Sequence, residues 1–106
     1  MKVFKILLVK NRGLHSLTSI GKRIRYSTKR VNVPPMGYNE HLYSFKTLYF
    51  AKEFLEIFTM HNSKRKYVIY EAVAITPLRD NDSVDRGFVL SRKLKLVRRV
   101  KSVNNP

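Results

Sequence analysis

The sequence predicts a single small α+β domain: an antiparallel sheet of four to five strands with one main helix packed on one face. The length of 106 residues suits one domain, and 43% apolar residues, including 6 Phe and 6 Tyr, can form a core. One stretch, Thr47–Met60, has a helical period, whereas the other apolar stretches are strand-like. The simplest layered arrangement of the order β-β-(β)-α-β-β is a helix across a sheet. We assign residues 1–103 to this domain and residues 104–106 to a frayed tail.

The predicted helix carries one wide apolar stripe. Its apolar residues recur at i, i+3, i+7 and i+10, with one more beside them: Leu48, Ala51, Leu55 and Phe58, and Phe54. Either Ser44 or Thr47 can cap its N-terminus, and Asn62 in His61–Ser63 is a candidate left-handed cap at its end. Further apolar residues off the stripe, Tyr49, Phe50 and Ile57, predict a possible homodimer through the 47–60 helix.

The N-terminal third predicts two strands joined by a connection. Lys2–Lys10 is apolar on both alternating phases, which is typical of a strand buried on both faces near the middle of a sheet. Asn11–Gly21 contains the turn signal Asn-Arg-Gly and predicts a connection, with room for one helical turn. Lys22–Val33 begins with alternating apolar and basic residues, so we expect a half-buried strand with a cationic outer face. Pro34 and Pro35 end it.

The remaining strands lie on either side of the helix in the chain. His41–Phe45 predicts a brief strand before the helix, and Tyr67–Thr76 is the strongest strand pattern, ending at Pro77. The small Ala72 and Ala74 suggest close packing of the helix on this strand. Phe88–Val103 predicts a last strand whose alternation slips at residues 97–100, where a β-bulge would reset the phase.

Charge is the strongest functional signal. The formal net charge is +15. Residues 1–39 hold 9 basic and no acidic residues, and residues 86–106 hold 7 basic and no acidic residues. Residues 40–85 hold 6 basic and 7 acidic residues, so both ends are cationic and the middle is near neutral. Such a field favours polyanionic partners, nucleic acid first.

The candidate nucleic-acid-binding residues follow from these clusters and from one exposed aromatic residue. They are Arg23, Arg25, Lys29, Arg30, Lys64, Arg65, Lys66, Arg92, Lys93, Lys95, Arg98, Arg99, Lys101 and Tyr38. If the two basic strands lie side by side, their alternate cations form one patch on the sheet face away from the helix. Such a patch would neutralise phosphates with little sequence preference. Tyr38 would offer a stacking ring, whereas we expect most other tyrosines to lie in the core.

Several site classes are disfavoured. With no cysteine, the chain has no disulfide, thiolate zinc site or Cys nucleophile. The stretch Asp80–Asp85 departs from the EF-hand pattern and is interpreted as a solvated turn. His15, His41 and His61 lie far apart in sequence, and no G-x-S-x-G motif is present. We therefore expect no enzymatic activity, no metal and no cofactor.

Two further features of the sequence are the position of Glu71 and the lack of a long apolar run. Glu71 interrupts an apolar strand and is expected either to lie at the sheet edge or to pair with a Lys or Arg on the next strand. No apolar run approaches the about 18 residues of a membrane span, and no signal peptide is evident, so a cytoplasmic location is expected.

The sequence therefore predicts a small, basic, non-enzymatic nucleic-acid-binding module that contacts the phosphate backbone through Lys and Arg. RNA and DNA are both compatible with this prediction, as is a nucleoprotein complex. The alternative is an accessory protein of viral or phage type that binds and regulates or inhibits a host protein or nucleoprotein complex.

Overall fold

The computed structural model describes residues 1–16, 24–34, 42–60, 65–77 and 87–100. Within these ranges the chain forms six strands and one helix: β1 (Lys2–Lys10), β2 (Gly13–His15), β3 (Arg25–Tyr26), β4 (Leu42–Phe45), α1 (Leu48–Thr59), β5 (Lys66–Pro77) and β6 (Phe88–Arg99). The predicted α+β class, with one helix packed on an antiparallel sheet, is confirmed. The sheet has six strands where four to five were predicted.

The sheet closes on itself. Its strand order is β3-β2-β1-β4-β6-β5, and β5 also pairs with β1, so that β1, β4, β6 and β5 form a four-stranded barrel. The pairing of β1 with β5 runs from Lys2 opposite Val73 to Val9 opposite Lys66. The other edge of β1 pairs with β4 at Phe4 and with β2 further along the strand. Closure gives the sheet a filled interior and an outer surface.

Strand β1 divides its side chains between two cores. Val3 and Leu7 point into the barrel, whereas Ile6 and Leu8 lie on the outside, beneath the helix. This placement follows from the twofold alternation of a strand whose two phases are both apolar. The prediction of a strand buried on both faces is confirmed.

Small residues fill the barrel interior together with branched ones. Ala72 and Ala74 of β5 point inward, so their small size allows the barrel walls to approach each other. The suggestion that they face the helix is wrong, because the helix packs on the opposite phase of β5, at Tyr67 and Ile69. Because the sheet closes into a barrel, which the local sequence does not reveal, the inward-facing residues of β5 line a separate core.

Helix α1 packs on the outside of the barrel. The Thr47 hydroxyl accepts a hydrogen bond from the Phe50 N–H at 3.2 Å, so Thr47 is the N-cap, not Ser44. Ala51 and Leu55 are buried, and the other members of the stripe pack against the same core: Leu48, Phe54 and Phe58. The predicted stripe is confirmed. The helix ends at Thr59 with Met60 as its C-cap, and His61–Ser63 lies outside the described residues.

The first hairpin has a two-residue turn. Asn11 and Arg12 have φ values of 51° and 62°, and Lys10 pairs with Gly13, as in a type I′ turn. The interpretation of the whole of Asn11–Gly21 as a connection is therefore wrong for Gly13–His15, which is β2. The short strand was missed because three residues beginning with Gly give little strand signal, and β1 supplies its partner.

The predicted strand over Lys22–Val33 is reduced to β3. Ile24 and Tyr26 are buried and Arg25 is exposed, so the predicted alternation is confirmed for these residues. Beyond β3 the chain forms a turn, and Asn32 makes an isolated antiparallel bridge with Leu94 of β6. This bridge holds the segment after β3 against the barrel.

Strand β6 changes phase along its length. Val97 is the extra residue of a bulge, because Glu71 and Ala72 of β5 pair with Arg98 and Leu96. The predicted slip at this point is confirmed.

Gly87 precedes β6 and lies directly against the helix. Its φ is +78°, and a Cβ atom there would lie 2.6 Å from the Phe50 ring. We expect Gly87→Ala to lower the free energy of unfolding by about 1–3 kcal/mol, because it adds backbone strain to a clash with a packed ring. Urea denaturation measures this loss. Ala51→Gly, which weakens the buried face of α1 without touching Gly87, serves as the comparison. If the clash causes the loss, the combined variant Gly87→Ala/Phe50→Ala should lose less free energy of unfolding than the sum of the two single variants. Full additivity would contradict the clash.

Candidate nucleic-acid interface

The predicted cations lie in three places on the described surface. Arg25, Arg65 and Lys66 lie near the β1–β2 turn. Lys29 and Arg30 lie in the turn between β3 and the bridge at Asn32. The largest group lies along β6: Arg92, Lys93, Lys95, Arg98 and Arg99. The remaining candidates, Arg23, Tyr38, Lys64 and Lys101, lie outside the described residues, as does Asp80–Asp85.

The condition for a single patch, adjacent basic strands, is not met. Strand β3 pairs with β2, whereas β6 pairs with β4 and β5. In addition, the sheet face away from the helix is the interior of the barrel and is filled by core residues. Arg25 and the cations of β6 therefore belong to separate surfaces.

The first surface, which we call the hairpin end, consists of Lys10, Arg12, Arg25, Arg65 and Lys66. Arg12 is in the turn, and Lys10 is the last residue of β1. Lys66 pairs with Val9, and Arg65 precedes it, so the backbones of both lie beside that of Lys10, and their side chains take opposite faces at this end of the sheet. All five side chains are exposed.

Arg25 reaches the hairpin end because a glycine leaves room for it. An ideal Cβ atom at Gly13 would lie 3.2 Å from Arg25 Nε and 3.1 Å from His15 Nε2. The same His15 nitrogen lies 3.1 Å from the Lys10 carbonyl oxygen. The guanidinium therefore lies over the backbone of β2, and its position depends on Gly13.

Two members of the hairpin end, Lys10 and Arg12, were not among the predicted site residues. The signal that could have identified them is the turn Asn11-Arg12-Gly13 followed by the alternating Leu14 and His15. Reading this stretch as a hairpin would have brought Lys10 and Arg12 beside β2 and β3.

Three cations of β6, Lys93, Lys95 and Arg98, lie on the outer surface of the barrel. Lys93 pairs with Ile75, and Lys95 pairs with Val73. Arg98 pairs with Glu71, and its guanidinium lies 3.2 Å from the Glu71 carboxylate.

Glu71 joins three strands through its carboxylate. Lys2 Nζ of β1 lies 3.1 Å from the same oxygen that Arg98 of β6 binds. The hydrogen bond from Lys2, helped by the charges of both cations, holds the pKa of Glu71 below its usual range. The expected pairing of this carboxylate with cations of neighbouring strands is confirmed, and two of the surface cations are thereby occupied.

Charge on the described surface is segregated. Among the described residues outside α1, Glu71 is the only carboxylate. The other described carboxylates, Glu53 and Glu56, are exposed on the helix. The strands and turns therefore present a positive surface, while the helix is near neutral.

One cation is buried inside the barrel. Lys5 is 7% exposed, donates a hydrogen bond to the Tyr43 carbonyl oxygen, and lies 5.0 Å from the centre of the Tyr26 ring. Burial lowers the pKa of Lys5 to about 7 and raises the pKa of Tyr26. Since Lys5 faces the interior, it does not contribute to either surface.

The outer side of α1 carries exposed apolar residues, Tyr49, Ile57 and Met60. A homodimer through this helix stays a prediction. No described helix has the length and hydropathy needed to cross a membrane. Nor does the described part of the chain bring together three or more metal-ligating side chains.

A comparison with protein families, curated proteins and solved structures finds no match to this chain. The cationic surfaces of the strands and turns are therefore the basis for a proposed function.

Proposed function

We propose that this protein is a small non-enzymatic module that binds nucleic acid through phosphate contacts made at the hairpin end. The observation that carries the proposal is the convergence of Lys10, Arg12, Arg25, Arg65 and Lys66, from three strands and two connections, at one end of the sheet. No described carboxylate lies on these elements at that end to compete with a phosphate.

The mode of contact follows from the side chains. Arg can bind a phosphate with two parallel hydrogen bonds, while Lys contributes a point charge. The tyrosines next to the hairpin end, Tyr26 and Tyr67, are buried and cannot stack on bases there. Contacts to the backbone without stacking support binding that has little sequence preference and depends strongly on salt.

The direct test is a titration of labelled 20-nucleotide single strands and 20-base-pair duplexes at 50 and 200 mM salt. If the five cations neutralise about four phosphates, affinity for the duplex should fall about 100-fold between these concentrations. Reversing two charges in the variant Arg12→Glu/Arg25→Glu should weaken binding at low salt at least tenfold. It should also make the slope of the salt dependence shallower by about 2.

The matched control is Lys46→Glu/Lys52→Glu, which changes the net charge equally but lies before and within α1, away from the hairpin end. We expect this control to bind nearly as well as the native chain. No binding by the native chain at low salt would contradict the proposal. Equal loss in both variants would show that net charge alone, not the hairpin end, governs binding.

A further inference from the structure

The outer surface where β6 lies between β5 and the Asn32 bridge has a regular arrangement of apolar and basic side chains. We call it the β5–β6 face. Its members are Val31, Val33, Val73, Ile75, Lys93 and Lys95. In the register of β5 and β6, Lys95 lies beside Val73 and Lys93 beside Ile75.

The segment around the Asn32 bridge provides the apolar residues on the side of β6 opposite to β5. Since Asn32 pairs with Leu94 in antiparallel fashion, Val31 lies beside Lys95 and Val33 beside Lys93. Asn32 and Leu94 point inward and are buried, so their neighbours in sequence point outward. A column of two lysines is thus flanked on each side by a column of two β-branched apolar residues.

Three of the four apolar residues of the β5–β6 face are exposed to solvent in the described structure. Val31, Val33 and Val73 are 43%, 54% and 38% exposed. Helix α1 covers the same face of β5 at Ile69, but Val73 lies four residues, or about 13 Å, further along the strand. Adjacent exposed apolar side chains, unlike scattered ones, are typical of an interaction surface.

The chemistry of the face distinguishes between classes of partner. A phosphate backbone would neutralise Lys93 and Lys95 but would leave the valine columns in water. A protein segment with carboxylates in a line and apolar residues on both sides would satisfy all three columns. Lys93 and Lys95 are about 6.6–6.8 Å apart along the strand, and residues i and i+4 of a helix are about 6 Å apart along its axis.

We propose that the β5–β6 face docks an acidic amphipathic helix of a partner protein. Carboxylates at i and i+4 of that helix bind Lys93 and Lys95. Apolar residues on either side of the acidic stripe cover Val31, Val33 and Val73. This surface is separate from the hairpin end, so the proposal does not depend on nucleic-acid binding.

The test uses two synthetic helical peptides of identical composition and net charge. In the matched peptide, two glutamates at i and i+4 are flanked by leucines on both sides. In the control peptide, the glutamates lie on the face opposite the leucines. Fluorescence anisotropy should show that the matched peptide binds at least tenfold more tightly, and amide chemical shifts should change at the β5–β6 face.

A charge exchange makes the assignment specific. We expect Lys93→Glu/Lys95→Glu to abolish binding of the matched peptide, and binding should return when the two peptide glutamates are replaced by lysine. The control variant Arg65→Glu/Lys66→Glu has the same net charge and should bind the original peptide nearly normally. Equal binding of both peptides, or no recovery on charge exchange, would overturn the proposal. Displacement of the bound peptide by a duplex with shift changes at Lys93 and Lys95 would instead assign this face to nucleic acid.

Discussion

Replacing Lys5 with methionine is expected to stabilise the fold by about 3 kcal/mol at pH 6 and to remove a pH dependence that the native chain shows between pH 7 and pH 10. Lys5 is buried in the barrel, and no described carboxylate forms an ion pair with it. The buried ammonium group is stabilised instead by a hydrogen bond to the Tyr43 carbonyl oxygen and by its position over the Tyr26 ring. A methionine side chain fills a similar volume without a charge.

The direction of the pH dependence follows from the two pKa values of Lys5. The pKa is about 7 in the folded chain and 10.5 in an unfolded one. Between these values the unfolded chain binds a proton that the folded chain does not, so stability rises with pH by up to about 1.4 kcal/mol per unit. Below pH 7 both states are protonated, and the folded state carries the full penalty, with an upper limit of about 5 kcal/mol.

The hydrogen bond to Tyr43 and the ionisation of Tyr26 determine the size of the stabilisation and the pH range over which it changes. Loss of the hydrogen bond to Tyr43 costs about 1–3 kcal/mol, which reduces the gain to the expected value. Burial raises the pKa of Tyr26, so this phenol stays neutral in the fold while it ionises in the unfolded chain above pH 10. Stability therefore decreases again above pH 10, and the rise is confined to pH 7–10.

Urea unfolding of the native chain and of Lys5→Met at pH 6, 7, 8, 9 and 10 tests the prediction. The difference between them should shrink as pH rises and change sign at about pH 9, because the remaining charge penalty is then smaller than the hydrogen bond to Tyr43 that Lys5→Met lacks. Lys10→Met, which removes an exposed lysine from the same strand, serves as the control and should follow the native curve. A constant difference between the native chain and Lys5→Met across this range would show that Lys5 does not titrate in the fold.

Asn32→Asp is expected to destabilise the fold by about 3–5 kcal/mol, although it changes one NH₂ group into an oxygen. Asn32 is 8% exposed, and its Nδ2 donates hydrogen bonds to the carbonyl oxygens of Ser27, at 3.0 Å, and Leu94, at 3.1 Å. Its Oδ1 accepts a hydrogen bond from the Ser27 N–H at 2.7 Å. A carboxylate keeps the acceptor but directs a charged oxygen at two carbonyl oxygens.

Denaturant unfolding at pH 7 measures this loss. The same substitution in the exposed turn, Asn11→Asp, is the control and should cost no more than about 0.5 kcal/mol, since Asp tolerates the left-handed conformation. Lowering the pH to 3 should recover part of the loss in Asn32→Asp, because a protonated carboxyl can donate one hydrogen bond again. Equal effects at the two positions would mean that the buried amide does not hold the bridge.

The parts of the fold that sequence could predict are those with a strong local hydrophobic pattern. The apolar stripe of α1 must face a core, and the two apolar phases of β1 require burial on both faces. The sequence predicts both correctly. The slip in alternation near Val97 also predicted its bulge. Closure of the barrel could not be predicted, because β5 pairs with two strands whose registers depend on distant residues.

The candidate site shows the same division. Alternation predicted that Arg25, Lys93 and Lys95 would be exposed, and they lie at the surface or partly exposed. Which cations lie together depends on strand order, and a type I′ turn of two residues brought Lys10 and Arg12 to Arg25. The burial of Lys5 could not be predicted either, since its phase of β1 faces an interior only when the barrel is closed.

The division of β1 between two cores has a consequence for cooperativity. Val3 and Leu7 belong to the barrel interior, while Ile6 and Leu8 belong to the layer under the helix. Detaching β1 would open both cores at once, and the backbone bond from the Ala74 N–H to the Met1 carbonyl oxygen links residues 73 positions apart. We therefore expect helix and barrel to behave as one cooperative unit, with no stable intermediate in which one core survives without the other.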